Sequence, residues 1–253
     1  MNKSYILFLL TIFSIGIINA QKKSGWLYKP GVAANFASVI HSDDPSAFKN
    51  IVFIKQEVSS LFDRRVDAKI AVNAYIFNIT WKDGITTKIM VNPNVGDFNK
   101  VTEQATKHAK IVGLLPYCLR SLLDEIILHD GNAAFGGGNR SLLFYTSKTI
   151  EHETKTGKLN EIVVHEAAHN LAQTIDTSPE WLAVQKSDST FISKYAHDYP
   201  EREDISESFL AWFIFRYHRD RIADNQVKAI MSQIPARLKY FDSKNYNMNP
   251  ICK

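Results

Sequence analysis

The stretch Glu161-Ile162-Val163-Val164-His165-Glu166-Ala167-Ala168-His169-Asn170-Leu171-Ala172-Gln173 decides how this chain is read. Its apolar residues and paired alanines predict a single amphipathic helix. Residues four apart share a helix face, so His165 and His169 can present two imidazoles to one atom. Glu166, next to the first histidine, can reach a water held there. Two imidazole ligands and a carboxylate base in the order H-E-x-x-H form the arrangement used by zinc hydrolases. The five residues alone carry modest weight, and a third ligand downstream is what the chemistry demands next.

A catalytic zinc keeps three protein ligands and one open position. One class of hydrolase takes a final histidine in H-E-x-x-H-x-x-G-x-x-H. Here those positions hold Ala172 and Ile175, which excludes that class. The other class takes a glutamate from a later helix, and a long helix is predicted from about Glu201 to His218. Its candidates are Glu201, Glu203 and Glu207. Glu203, Glu207, Leu210 and Ile214 fall on one stripe that begins acidic and continues apolar. Carboxylates in line with a core-facing stripe need partners if buried, and a zinc ion and a ligand histidine supply two. Glu203 is therefore assigned to one Zn2+ ion and Glu207 to the N–H of a ligand histidine. The reverse assignment, Glu207 on zinc, stays open. Glu201 and Asp204 need no role beyond favourable charge at a helix N-terminus.

With His165-Glu166-Ala167-Ala168-His169 followed by Glu203-Asp204-Ile205-Ser206-Glu207, the chain resembles the gluzincin zinc peptidases. It is similar in particular to the catalytic domains of anthrax lethal factor and the Pro-Pro endopeptidases. The resemblance covers roughly Glu161 to Phe215. It implies a zincin-like domain, a tyrosine upstream of the glutamate ligand that stabilises the tetrahedral intermediate, and a second glutamate four residues after that ligand. Tyr195, eight positions before Glu203, matches the tyrosine, with Tyr199 and His197 as alternatives. The expected activity is a secreted zinc endopeptidase with Glu166 as general base and a peptide or protein as substrate. A zinc amidase acting on a cell-wall or other non-protein amide, and a secreted zinc-binding protein without activity, are the competing readings.

The remaining chain sets the frame. Residues 1–20 read as a signal peptide, with Lys3, the apolar run Tyr5 to Ile18, and Ala20 at the cleavage point. The rest, 21–253, reads as one domain with no stretch long enough to span a bilayer. A net charge of +4 spread along the chain gives no nucleic-acid footprint. Cys118 and Cys252 are expected, by a slight margin, to pair in an oxidising compartment. Asn78 and Asn139 begin glycosylation sequons that matter only in a eukaryotic source.

The expected fold class is α+β, with a small mixed sheet in the N-terminal half and helices in the C-terminal half. Asp44-Pro45 looks like a cap opening a helix to Asp63, through Phe48, Ile51, Ile54, Val58, Leu61 and Phe62. Lys69–Trp81 and Thr86–Asn92 read as a hairpin across Asp83-Gly84. A helix is expected over Asp97–Leu115, and strands over Glu125–His129 and Ser141–Tyr145. Between those strands, Gly136-Gly137-Gly138 lacks the Gly-Lys-Ser/Thr of a phosphate loop. It reads as a place where backbone passes close to something. Ser141–Tyr145 is a candidate edge strand for extended substrate, or the arm of an internal hairpin. After the metal helix, Ser178-Pro179 looks like a cap and first turn, and Asp224–Tyr240 reads as further helix.

Overall fold

The computed structural model describes residues 25–252, so the signal-peptide reading of residues 1–20 lies outside the described residues. In chain order the strands are β1 (Phe48–Asp63), β2 (Ala68–Trp81), β3 (Thr86–Val91), β4 (Glu125–His129), β5 (Gly136–Gly138) and β6 (Ser141–Tyr145). The helices are α1 (Phe98–Val112), α2 (Tyr117–Arg120), α3 (Thr146–Glu151), α4 (Leu159–Ile175), α5 (Pro179–Ser187), α6 (Lys194–Asp198), α7 (Asp204–Tyr217), α8 (Asp224–Gln233) and α9 (Pro235–Ser243). The fold is α+β, with strands in the N-terminal half and most helices in the C-terminal half.

The six strands form one sheet in the order β1-β2-β3-β4-β6-β5. β3, β4 and β6 run parallel, and β1, β2 and β5 join antiparallel. The inner face packs on α1 and α4, and Phe77, Ile89, Ile126, Leu128 and Phe144 fill the core between them. A smaller cluster, including Leu61, Ile76, Met90, Ile127, Leu143 and Tyr145, lies apart from this core. It is closed by the far end of β1, which reaches across to β4 and β6. There Phe62 carbonyl accepts from His129 Nε2 at 2.9 Å, and Tyr145 Oη accepts from the Arg64 amide at 2.8 Å.

The helix expected from Asp44 to Asp63 is instead β1, paired with β2 from Phe48↔Trp81 to Asp63↔Ala68. The physical cause is visible in the register. Irregularities between Phe48 and Asn50 and between Phe53 and Lys55 each add a residue and reverse the alternation of faces. These insertions spread Phe48, Ile51 and Ile54, while the exposed Val58 adds an apolar position that marks no buried face. Asp44 caps nothing helical. Its carboxylate accepts the His41 amide and pairs with Arg221.

Other readings hold closely. Trp81 donates to Ile85 across the Asp83-Gly84 turn, with Gly84 at φ 90°. Asp97 caps α1 through the Lys100 amide, and Ser178 caps α5 through the Trp181 amide. The expected pairing of Cys118 and Cys252 is not formed, and both thiols are free. Cys118 is half-buried with its Sγ 3.7 Å from Met248 Sδ, whereas Cys252 is exposed. No helix among the described residues is long and apolar enough to cross a membrane.

Candidate metal centre

Helix α4 is the central rod of the molecule. Val163, Val164, Ala167, Ala168, Leu171 and Ala172 are all buried, so it is apolar round most of its circumference rather than along one stripe. The small residues let two neighbours approach closely. One is β5, where a Cβ on Gly137 would lie 1.6 Å from the Glu166 carbonyl oxygen. Only glycine fits there, and this is the close backbone approach expected of the glycine run. The other neighbour is α7, whose residues from Asp204 to Phe215 are buried on every side.

Glu203 is the residue just before α7, with its carbonyl accepting the Glu207 amide at 2.9 Å. This places its carboxylate against α4. His165 Nε2 and His169 Nε2 are each 3.4 Å from Glu203 Oε2. The ligand atoms of His165, His169 and Glu203 lie within 4.8 Å of one another. Glu203 Oε2 is buried without a hydrogen-bond partner, although it faces two ring nitrogens. Leaving a buried carboxylate oxygen unsatisfied is costly. A divalent cation between the three atoms would remove that cost, so this donor set fits a zinc ion.

Glu207 stands behind the triad. Its Oε1 is 3.2 Å from His165 Nδ1, a distance that suits a hydrogen bond but an alignment that does not. Its Oε2 accepts from the Val32 amide at 2.7 Å and the Ser193 hydroxyl at 2.5 Å. A Cβ on Gly31 would sit 3.0 Å from Oε1, so the preceding glycine lets the N-terminal segment close over this carboxylate. Oε2 is thus engaged away from the histidines and Oε1 approaches only His165, so of the two glutamates only Glu203 meets both histidines.

The charges follow from this packing. Burial works against the His165 imidazolium, but Glu203 and Glu207 outweigh it and raise the ring to about 10. A metal ion at Nε2 competes directly with that proton. Burial, reinforced by His165, pushes His169 down to about 4. Burial also opposes ionisation of Glu203, yet the His165 and His169 rings beside it hold it near 2. Glu166 is pushed up by burial, against the opposing charges of His165 and Arg64. A raised carboxylate is what a general base working near neutral pH requires.

A cleft of about 710 Å³ opens over the triad, lined by His165, Glu166, His169, Glu203 and Tyr195 among others. A larger cavity of about 1120 Å³ lies elsewhere, beside Lys107 and Asn160, and includes none of these residues. Tyr195 Oη accepts from Arg202 Nη2 at 3.3 Å, and Arg202 Nε donates to Glu203 Oε1 at 2.7 Å. The two alternatives to Tyr195 stand outside the cleft. Tyr199 is half exposed beneath the Arg202 guanidinium, and His197 packs on Trp26 and pairs with Asp198.

The candidate edge strand needs correction. β6 lies inside the sheet, flanked by β4 and β5, so the edge beside the helix is β5. The sequence reading also missed Arg64, which lines the cleft from the β1–β2 turn. Treating β1 as a helix hid that turn, and the only local signal is an Arg-Arg pair before Asp67, whose φ of 49° marks the bend. No family model, curated protein or solved structure matches this chain.

Proposed function

We propose that the chain is a secreted zinc-dependent endopeptidase that holds one Zn2+ ion between His165, His169 and Glu203. The observation that carries this reading is the buried, unpartnered Oε2 of Glu203, 3.4 Å from the Nε2 atoms of both histidines. When bound, the ion supplies Lewis-acid polarisation of a scissile carbonyl and a lowered pKa for water.

The chain's own groups do the rest. Glu166 takes a proton from the attacking water and hands it to the leaving amine, so peptide and water become a carboxylate and an amine. Tyr195 lines the cleft, and its hydroxyl would stabilise the oxyanion of the tetrahedral intermediate. Glu207, itself fixed by Val32 and Ser193, stands 3.2 Å behind His165 Nδ1, where it limits how that ring can turn. Among the described residues β5 has a strand neighbour only in β6, so its other edge can pair with an extended peptide level with Glu166. A polypeptide suits this edge.

The test is Glu166→Gln in a peptide-library cleavage assay with metal analysis. The variant should keep its zinc and lose roughly 10²- to 10⁴-fold in cleavage rate. Full activity in the variant, or chelator-insensitive cleavage by the native chain, would overturn the mechanism.

A further inference from the structure

Arg64 lines the cleft, where its charge acts on Glu166 but no proton or bond of the hydrolysis passes through it. It sits at the turn between β1 and β2, and the turn is anchored on both sides. The Arg64 amide donates to Tyr145 Oη, which donates in turn to Asp63. Arg65 grips Asp63 through Nε and Nη2, and its Nη1 donates to the Asp130 carbonyl at 3.0 Å. The backbone at Arg64 is therefore fixed, yet its own guanidinium makes no hydrogen bond or ion pair among the described residues. The other arginine of the cleft, Arg202, is held by Glu203 and Tyr195.

Register relates Arg64 to the reaction centre. Gly137 lies level with Glu166, its missing Cβ directed at the Glu166 carbonyl. One residue earlier, a Cβ on Gly136 would fall 2.6 Å from Arg64 Nη2. Successive residues of a strand face opposite sides, so β5 presents α4 on one side and the Arg64 guanidinium on the other. A peptide added to the β5 edge alternates in the same way. Side chains next to the bond level with Glu166 then meet Arg64.

We propose that Arg64 is a specificity residue that receives a substrate carboxylate within about one or two residues of the scissile bond. The substrate class is an acidic peptide. Arginine is suited to this because its planar fork binds a carboxylate through two parallel hydrogen bonds. Asp67, Asp176 and Glu201 line the same cleft. They disfavour a peptide that is acidic throughout and favour one with its carboxylate placed at Arg64. The cleavage side of this inference rests on the peptidase reading, whereas its binding side rests on the cleft alone.

The experiment measures fluorescence anisotropy of labelled decapeptides on the zinc-loaded Glu166→Gln chain. Acidic, neutral and basic central residues are compared, each with a free or an amidated C-terminus. The central acidic peptides should bind about tenfold more tightly than neutral ones at low salt. Arg64→Gln should abolish that preference, and Arg64→Glu should transfer it to the basic peptides. An equal preference in the amidated series assigns the carboxylate to a side chain, and its loss there assigns it to the peptide terminus. Equal affinity for all three classes in the native cleft, or a preference unchanged in Arg64→Glu with native circular dichroism, would overturn the proposal. Absence of cleavage by the Glu166-containing chain would sink the peptidase reading but leave these binding outcomes decisive.

Discussion

Gly137 and His108 show how single residues set the limits of this fold. The Glu166 carbonyl lies where a Gly137 side chain would begin, at 1.6 Å. That oxygen belongs to the middle of α4, so neither partner can yield alone. Gly137→Ala should cost at least the 1–3 kcal/mol typical of overpacking (about 3 kcal/mol or more here) and should displace Glu166. Gly84→Ala is the control, since its Cβ would meet nothing within 4 Å and only the positive φ is strained. Urea titrations of both variants check this, and a native midpoint for Gly137→Ala would show that β5 moves freely. His108 sets a pH limit. It is fully buried between the Gln104 carbonyl and the Thr149 hydroxyl, and burial pushes it down from 6.5 to about 4. Between those values the unfolded chain binds the extra proton. The stabilisation is complete above pH 6.5 and is lost as pH falls towards 4, by up to about 3 kcal/mol. Burial also depresses His129, His152 and His218, so acid lability is shared. His108→Gln should flatten the urea midpoint between pH 7.5 and pH 5 relative to the native chain. An unchanged slope would remove His108 from the account.

At the scale of elements, what the sequence reveals depends on whether a pattern has one cause. α1 has regular periodicity, α4 is a long run of apolar and small residues around the H-E-x-x-H motif, and β3, β4 and β6 are short apolar strands between turn residues, so each was legible. β1 was not, because two register irregularities break its alternation up to Ile54 and the exposed Val58 marks no buried face. The pair Glu203 and Glu207 was found by a stripe argument that α7 does not satisfy, since α7 is buried all round. What separates the two carboxylates is tertiary: Glu207 is claimed by the Ser193 hydroxyl and by the amide of Val32, which is far off in the chain. The start of α7 depends on another such group. Arg237, from α9, is fully buried between Asp188 and Asp204, with Nη1 and Nη2 each 2.8 Å from a carboxylate. Asp204 directly follows Glu203, so this triad fixes the point where the third metal-binding side chain leaves the helix. Removing the cation strands two buried acids. Arg237→Met should cost about 3–5 kcal/mol, and adding Asp188→Asn and Asp204→Asn should recover part of it. Urea unfolding of the single and triple variants measures both, and a single variant as stable as the native chain would show that the acids find water.

At the scale of the whole molecule, the candidate metal site is a junction between distant parts of the chain. His165 and His169 come from the helix against the sheet, and Glu203 opens the helical half. The N-terminal segment is tied to the same two helices: Glu161 of α4 accepts the Val39 and Ile40 amides, and Glu207 of α7 accepts the Val32 amide. An ion shared by His165, His169 and Glu203 would therefore cross-link the elements on which the rest of the chain is packed. Anything that binds the folded state alone stabilises it by mass action, by about 4 kcal/mol at a thousandfold excess over Kd. For a chain of this size each kcal/mol moves Tm by roughly 2–4 °C. Chelation should then lower Tm by about 10 °C, and added zinc should restore it. Glu166→Gln should retain the whole shift, because Glu166 binds no ion, whereas His169→Ala should lose most of it. Differential scanning calorimetry of the three proteins with and without chelator separates a metal junction from an ordinary cluster of buried charges. In the second case all three Tm values would ignore the chelator, and His169→Ala would change only the baseline stability.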